Sequence, residues 1–387
     1  IRDSSYPIEK KKEFLLNKDS NKNIILNDLE EVYPEIKIPH NSYPIEKKKE
    51  FLLNMDKKIR SVSNKISQVS LGILEDDKEY VIANSNGKYI KSRNCVTRYM
   101  CSVFAEDNDK KEKEFTDFAQ AKGYEILEKD LETQSINAAK VAIEKLDAED
   151  FKGGELPVII APGFGAVIFH EACGHGLEAT RVAPKISVFS NDLGKKVATS
   201  KVTLIDDGTI PDVWGTNLID DEGNPTQKNI LIEDGILKSF LVDELHKNKM
   251  NMASNGCGRR ENYNYAPTSR MSNTYLKPGT DTFKDMLKGI KLGVYCEKMS
   301  GGTVNPATGD FNFAVETARL IEDGKLTKRI KGITLIGNSK EILQNVEMVS
   351  SDLELGSGYC GSKSGMIYVT IGQPTIKVSK ILVGGKE

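Results

Sequence analysis

The chain has 387 residues, enough for two or three domains with substantial cores. Its 54 basic and 56 acidic side chains leave a formal net charge of −2, so nothing general attracts it to nucleic acid. No apolar run of about 18 residues and no secretory leader pattern is visible, so neither membrane insertion nor secretion is expected.

Residues 1–41 read as an atypical N-terminal segment. Ser-Tyr-Pro-Ile-Glu-Lys-Lys-Lys-Glu-Phe-Leu-Leu-Asn occupies 5–17 and recurs identically at 42–54. The match stops at once on either side and no third copy follows, so a solenoid is not expected. A truncated or duplicated N-terminus accounts for it better. Residues 42–150 read as an N-terminal or middle α/β domain. A helix is expected over 44–60, with Pro44 near its start and Phe51, Leu52 and Met55 on one side. Strands follow at Val69–Leu74 and Tyr80–Asn84, then an Asn86-Gly87 turn and a strand from Tyr89. The charged, alanine-containing stretch 110–148 is expected to be helical, and 150–156 a linker.

Residues 151–387 read as the C-terminal, catalytic domain. Pro157–Ala161 is a buried strand, punctuated by Pro162 and Gly163, and the apolar stretch 164–173 is helix-compatible. Strands then dominate, with turns at Asp207-Gly208, Glu222-Gly223, Asp234-Gly235 and Asp323-Gly324, and one helix over about 282–293. The fold class is α+β: an N-terminal α/β segment, then a domain dominated by antiparallel sheet with a ligand-bearing helix.

The chemistry concentrates at 170–175, His-Glu-Ala-Cys-Gly-His, which holds two of the four histidines around a glutamate. Neutral imidazoles bind zinc, and a carboxylate beside the metal can take a proton from water. The familiar zinc spacing is H-E-x-x-H. Here the histidines are five apart, about 140° around a regular helix, so the helix must end or bulge before His175. Glycines at 174 and 176 permit that; a plain helix end with two satisfied histidines is the alternative. Cys360, in Gly-Ser-Gly-Tyr-Cys-Gly, is a candidate third ligand, although a small buried thiol is the commoner fate. Cys173 would crowd a shared ion and reads as helix packing. The six cysteines, at 95, 101, 173, 257, 296 and 360, form no C-x-x-C pair. A reducing, cytoplasmic setting is expected.

His-Glu-Ala-Cys-Gly-His-Gly-Leu-Glu resembles the H-E-x-x-x-H signature of the TldD branch of the TldD/PmbA (TldD/TldE) metallopeptidases. The resemblance continues through Ile205-Asp-Asp-Gly-Thr-Ile and Ile219-Asp-Asp-Glu-Gly-Asn-Pro-Thr-Gln-Lys-Asn. Arg270-Met-Ser-Asn-Thr-Tyr-Leu-Lys-Pro-Gly, Lys331-Gly-Ile-Thr-Leu-Ile-Gly-Asn and Gly372-Gln-Pro-Thr-Ile-Lys-Val extend it, over about residues 42–387. It implies zinc, one ion per chain, held by His170, His175 and Cys360, with Glu171 as general base. It implies cleavage of short, unfolded or precursor peptides. It also implies pairing with a TldE/PmbA-type paralogue or a second copy, and an additional N-terminal α/β segment that is largely absent here.

The segment Cys257–Arg270 mixes donors and aromatics as a binding loop does. Arg259, Arg260, Tyr263, Tyr265 and Arg270 are candidate substrate-binding residues; solvated arginines and packing tyrosines are the alternative. An extended peptide can add to a sheet edge, for which Gly301–Phe313 is a candidate. An ordinary hairpin turning at Gly309-Asp310 fits that segment equally well. Two other functions are open: a non-catalytic regulator, since family members are linked by name to DNA gyrase modulation, and a metal-dependent hydrolase of non-peptide amides.

Overall fold

The computed structural model describes residues 26–385. The first copy of the repeated segment, 5–17, lies outside them. The first half contains β1 (Glu30–Val32), α1 (Ile45–Arg60), β2 (Ile66–Ala83), β3 (Tyr89–Asp107), β4 (Lys110–Gln120) and α2 (Leu131–Lys145). Strand β3 is the spine. One of its edges pairs antiparallel with β2 along almost its whole length, while β1 (parallel) and β4 (antiparallel) share the other. Cys95, Thr97, Tyr99, Cys101, Val103 and Ala105 alternate into the interior, the period-2 signature of a strand with one face covered. Helices α1 and α2 cover that face. Met55 and Ile59 of α1 and Leu131, Ala138, Ala139 and Ala142 of α2 recur at helical spacing and join Tyr99 and Val103 in one core. Asp130 caps α2 by accepting from the Thr133 N–H at 3.0 Å.

The helix expected over 44–60 forms, but the one expected over 110–148 begins only at Leu131. Residues 110–120 are strand instead. Asn108, with φ 53°, turns the chain back after β3, and β4 then pairs with 97–107 residue for residue. Tertiary pairing overrides the helix propensity of a Lys/Glu-rich run there.

The second half contains β5 (Gly153–Ile160), α3 (Val167–Ala172), α4 (Ala179–Val182), β6 (Leu204–Asp207), β7 (Lys228–Glu233), β8 (Ile236–Leu237) and α5 (Glu244–Met250). Then come β9 (Gly258–Arg259), β10 (Thr268–Ser269), β11 (Asn273–Leu276), α6 (Phe283–Leu287), β12 (Leu292–Val304), β13 (Asp310–Glu322) and β14 (Lys325–Ile330). The last are β15 (Ile333–Asn338), α7 (Ser339–Asn345), β16 (Val346–Val349), β17 (Glu354–Ser362), β18 (Gly365–Gln373) and β19 (Ile376–Gly384). One sheet runs β12-β5-β19-β15-β13, and β13 pairs back onto β12, so the ladder closes on itself and these strands leave no free edge to the ring. The other runs β17-β18-β11-β6-β7-β8. One apolar core joins α3 to both sheets through Ile160, Phe169, Phe313, Met271 and Ile371.

Two expectations change here, and one of the two readings of Gly301–Phe313 is the one found. The linker at 150–156 is strand from Gly153, because β19 pairs with it. The helix at 282–293 is only α6: Lys288 leaves helical geometry with ψ 134°, and Leu292 onward is drawn into the ring by β13. Gly301–Phe313 is the β12–β13 hairpin, with paired residues Thr303–Asn312 and Val304–Phe311. The Asp-Gly steps at 234–235 and 323–324 place both residues at positive φ, the geometry of tight hairpins.

Candidate metal centre

Strand β5 delivers the chain through a 3-10 turn, Gly163–Ala166, into the six-residue helix α3. Val167, Ile168, Phe169 and Ala172 are all buried, which fixes the helix and with it the direction of His170. The helix stops at Ala172. Cys173 has φ −116°, and a 3-10 turn, Gly174–Leu177, carries His175. That break replaces the roughly 140° divergence of a straight helix. The two rings stand 5.0 Å apart at 83° to one another. Gly174 is required for close approach: a Cβ there would lie 2.0 Å from the buried sulfur of Met271. Cys173 is fully buried in the core, as packing demands.

Cys360 lies on β17, paired with Ile367 of β18. Its Sγ is 3.3 Å from His170 Nε2 and 3.2 Å from His175 Nε2. Glu171 brings a carboxylate oxygen within 3.7 Å of His175 Nε2 and keeps about a quarter of its side chain exposed. His175 Nδ1 donates to Glu178 Oε1 at 3.1 Å, and Glu178 is itself buried. Burial opposes ionisation of the Cys360 thiol, but the two imidazoles beside it outweigh burial and bring it down to about 3. Burial likewise opposes a charge on His175, and Glu178 and Cys360 outweigh it, raising that imidazole well above its ordinary value.

These residues fit a zinc ion. Two imidazole nitrogens and a thiolate are a zinc donor set, and an N–Zn–S angle near tetrahedral separates N and S by about 3.6 Å. The observed separations are close to that. The Nδ1–H to carboxylate bond at His175 fixes its tautomer with Nε2 free for a metal, the usual arrangement behind a ligating histidine. His170 Nδ1 is buried without a hydrogen-bond partner. A second group, His40, Asp77 and Cys95, also brings ligand atoms within 4.8 Å of one another. It is a poorer candidate. Arg93 occupies both Asp77 oxygens, at 2.7 and 2.6 Å, and burial pushes the Cys95 thiol up to about 12.

The loop residues separate into two groups. Arg259 is buried and donates to the Met271 and Tyr368 carbonyls. Arg270 is fully buried behind Cys360, where it donates to the Cys360 carbonyl at 2.6 Å. Arg260, Tyr263 and Tyr265 stay accessible. Arg260 and Tyr263 line a cavity of about 970 Å³, shared with Tyr80 and Ile82 of β2 and with Ile367 opposite Cys360. Sequence reasoning gave Glu178 no role. Its signal was a carboxylate three residues after a candidate ligand histidine. Asp206 was missed too; burial raises its carboxyl to about 6, against hydrogen bonds from the Ser272 N–H and the Thr274 hydroxyl and the charges of Arg259 and His170.

The sheet-rich fold brings a His–His–Cys cluster, a donor set suited to zinc, beside a carboxylate. Residues 38–147 match the PmbA/TldA metallopeptidase central domain and 153–385 the PmbA/TldA metallopeptidase C-terminal domain. The chain belongs to this PmbA/TldD metallopeptidase family. It is 36% identical over 331 residues to a Metalloprotease TldD homolog of Buchnera aphidicola, spanning 83% of this chain and 68% of that protein. It is 33% identical over 251 residues to a Zinc metalloprotease TldD homolog of Saccharolobus solfataricus, spanning 64% of this chain and 56% of that one. Two solved structures share the fold. A Thermotoga maritima protein described as a suggested modulator of a DNA gyrase has TM-score 0.77 at 20% identity, over 98% of this chain and 84% of its own. TldE from Thermococcus kodakarensis has TM-score 0.74 at 22% identity, over 97% and 82%. No helix among the described residues is long and apolar enough to cross a membrane.

Proposed function

We propose that this chain is a zinc-dependent peptidase acting on short, unfolded or precursor peptides, with one zinc held by His170, His175 and Cys360 and Glu171 as general base. The observation that carries the reading is the convergence of two imidazole Nε2 atoms on one thiol sulfur 190 residues away, with a carboxylate at 3.7 Å. Zinc bound there supplies Lewis acidity, acidifying water and polarising a peptide carbonyl. Glu171 takes the proton of the attacking water and passes it to the leaving amine nitrogen. The buried Glu178 keeps the His175 proton on Nδ1. Arg259 and Arg270 are buried, their guanidinium donors turned to the Met271, Tyr368, Cys360 and Gly365 carbonyls and the Ser364 hydroxyl, so Arg260, Tyr263 and Tyr265 are the loop side chains we assign to the extended peptide. The fold shared with TldE supports pairing with a TldE/PmbA-type paralogue or with a second copy.

The test is metal content together with hydrolysis of a panel of unstructured peptides, for the intact chain and Glu171→Gln, with a paralogue supplied. We expect about one zinc per chain in both and cleavage only by the intact chain, turnover falling about 10²–10⁴-fold in the variant. Undiminished cleavage by Glu171→Gln would remove the general-base assignment. Zinc binding with no cleavage of any peptide would leave a binding role.

A further inference from the structure

Two buried charged residues, Glu178 and Arg270, tie the histidine turn to the cysteine hairpin. Glu178 is 2% exposed and Arg270 0%. Glu178 Oε1 accepts from His175 Nδ1 at 3.1 Å and pairs with Arg270 Nε at 3.8 Å. Arg270 in turn grips the tip of the hairpin at three points: the Cys360 carbonyl at 2.6 Å, the Ser364 hydroxyl at 2.8 Å and the Gly365 carbonyl at 3.2 Å. The circuit closes through the 3.2 Å contact between Cys360 Sγ and His175 Nε2. The segment that carries Arg270 is itself held beside the histidine turn and against Cys257. The Thr180 N–H donates to the Ser269 hydroxyl at 3.0 Å, and the Arg270 N–H donates to the Cys257 carbonyl at 2.9 Å.

We infer that the Glu178–Arg270 pair is the positioning device that fixes the His175-to-Cys360 separation, and so sets how tightly the centre holds a zinc ion. The inference rests on the metal centre proposed above. The charge balance supports it. Arg270 supplies the positive charge facing the buried Glu178 carboxylate, so the pair itself adds no net charge beside the centre. A carboxylate behind a ligating histidine raises its basicity and locks its ring, and losing such a partner weakens metal binding about 10–100-fold. Here one carboxylate also reaches, through Arg270, the backbone of the thiolate ligand.

The experiment measures zinc affinity by chelator competition and the visible spectrum with cobalt(II) in its place. It compares the intact chain, His170→Ala and the double variant Glu178→Gln/Arg270→Met. Removing both members of a buried pair is tolerated far better than removing one, so the metal-free double variant should keep its fold, checked by circular dichroism. We expect a 10–100-fold loss of zinc affinity and a shifted cobalt spectrum that retains its sulfur-to-metal band. Affinity within twofold of the intact chain would overturn the inference. If the double variant does not fold, Arg270→Lys decides: three donors on one nitrogen cannot reach the three hairpin acceptors and also face Glu178 as the spread guanidinium does, so affinity must fall by severalfold, and unchanged affinity overturns the inference. Failure of the intact chain to bind zinc in a way that His170→Ala abolishes would instead refute the centre itself, a result separable from the first.

Discussion

Trp214 donates its indole N–H to the carbonyl oxygen of Gly358 at 3.0 Å, two residues before Cys360. Its ring lies 4.5 Å from Tyr368 and 5.8 Å from Tyr359, and the Arg98 guanidinium of β3 sits over both Trp214 and Tyr359. Asp117 of β4 binds Arg98 and accepts from the Ser357 hydroxyl, while Tyr368 donates to Asp76 of β2 at 2.7 Å. The first-half sheet thus braces the hairpin from which Cys360 projects. Trp214→Ala removes a fully buried indole, and we expect about 3–5 kcal/mol of lost stability by urea unfolding. Zinc should also be released faster from the folded fraction; unchanged release would limit Trp214 to packing.

Zinc should stabilise the intact chain and leave Cys360→Ala little changed. At free zinc about 100 times the dissociation constant, linkage gives roughly 2.7 kcal/mol, visible as a rise in melting temperature that a chelator reverses. Equal shifts in both proteins would mean that the metal binds elsewhere.

Glu222 lines the cavity beside Arg260. Burial, with Asp220, Asp243 and Glu244 nearby, raises its carboxyl from 4.5 to about 7 against a hydrogen bond from the Glu244 N–H. A raised acid disfavours the folded state wherever only the unfolded chain ionises freely. Stability relative to Glu222→Gln should therefore fall as pH rises from 4.5 to about 7 and be level above that. Parallel curves for the two proteins across that window would contradict the shift.

Gly174→Ala should cost about 1–3 kcal/mol, because the added methyl must displace the buried Met271 side chain. Zinc affinity should drop with it, since displacing Met271 disturbs the packing under the turn that carries His175. A neutral effect on both would show that Met271 yields without moving the turn.

Much of the centre could be read from spacing. His170, Glu171 and His175 stand together in six residues, and the five-residue interval already demanded the break found at Cys173. What Cys360 meets could not be read that way, because register on β18 and the grip of Arg270 bring it to the histidines. Arg270 looked like a substrate donor because local sequence shows a guanidinium and not what surrounds it; here its partners come from residues 90 and more positions away. The α+β class followed from periodicity. The closed ring did not, since closure is the single pairing of β12 with β13, which alternation cannot tell from any other hairpin. Residues 110–120 misled for a related reason: their charge pattern suits a helix, and only the long partner strand β3 makes them extended.

The distance in sequence between His170 and Cys360 bears on the life of the chain during synthesis. A ribosome that has delivered both histidines must add 185 more residues before the sulfur exists. Until then the growing polypeptide carries two imidazoles and a carboxylate but no completed metal cage. If the proposed centre is the hydrolytic one, the order of residues along the chain keeps it incomplete in any nascent or prematurely released chain that ends before Cys360.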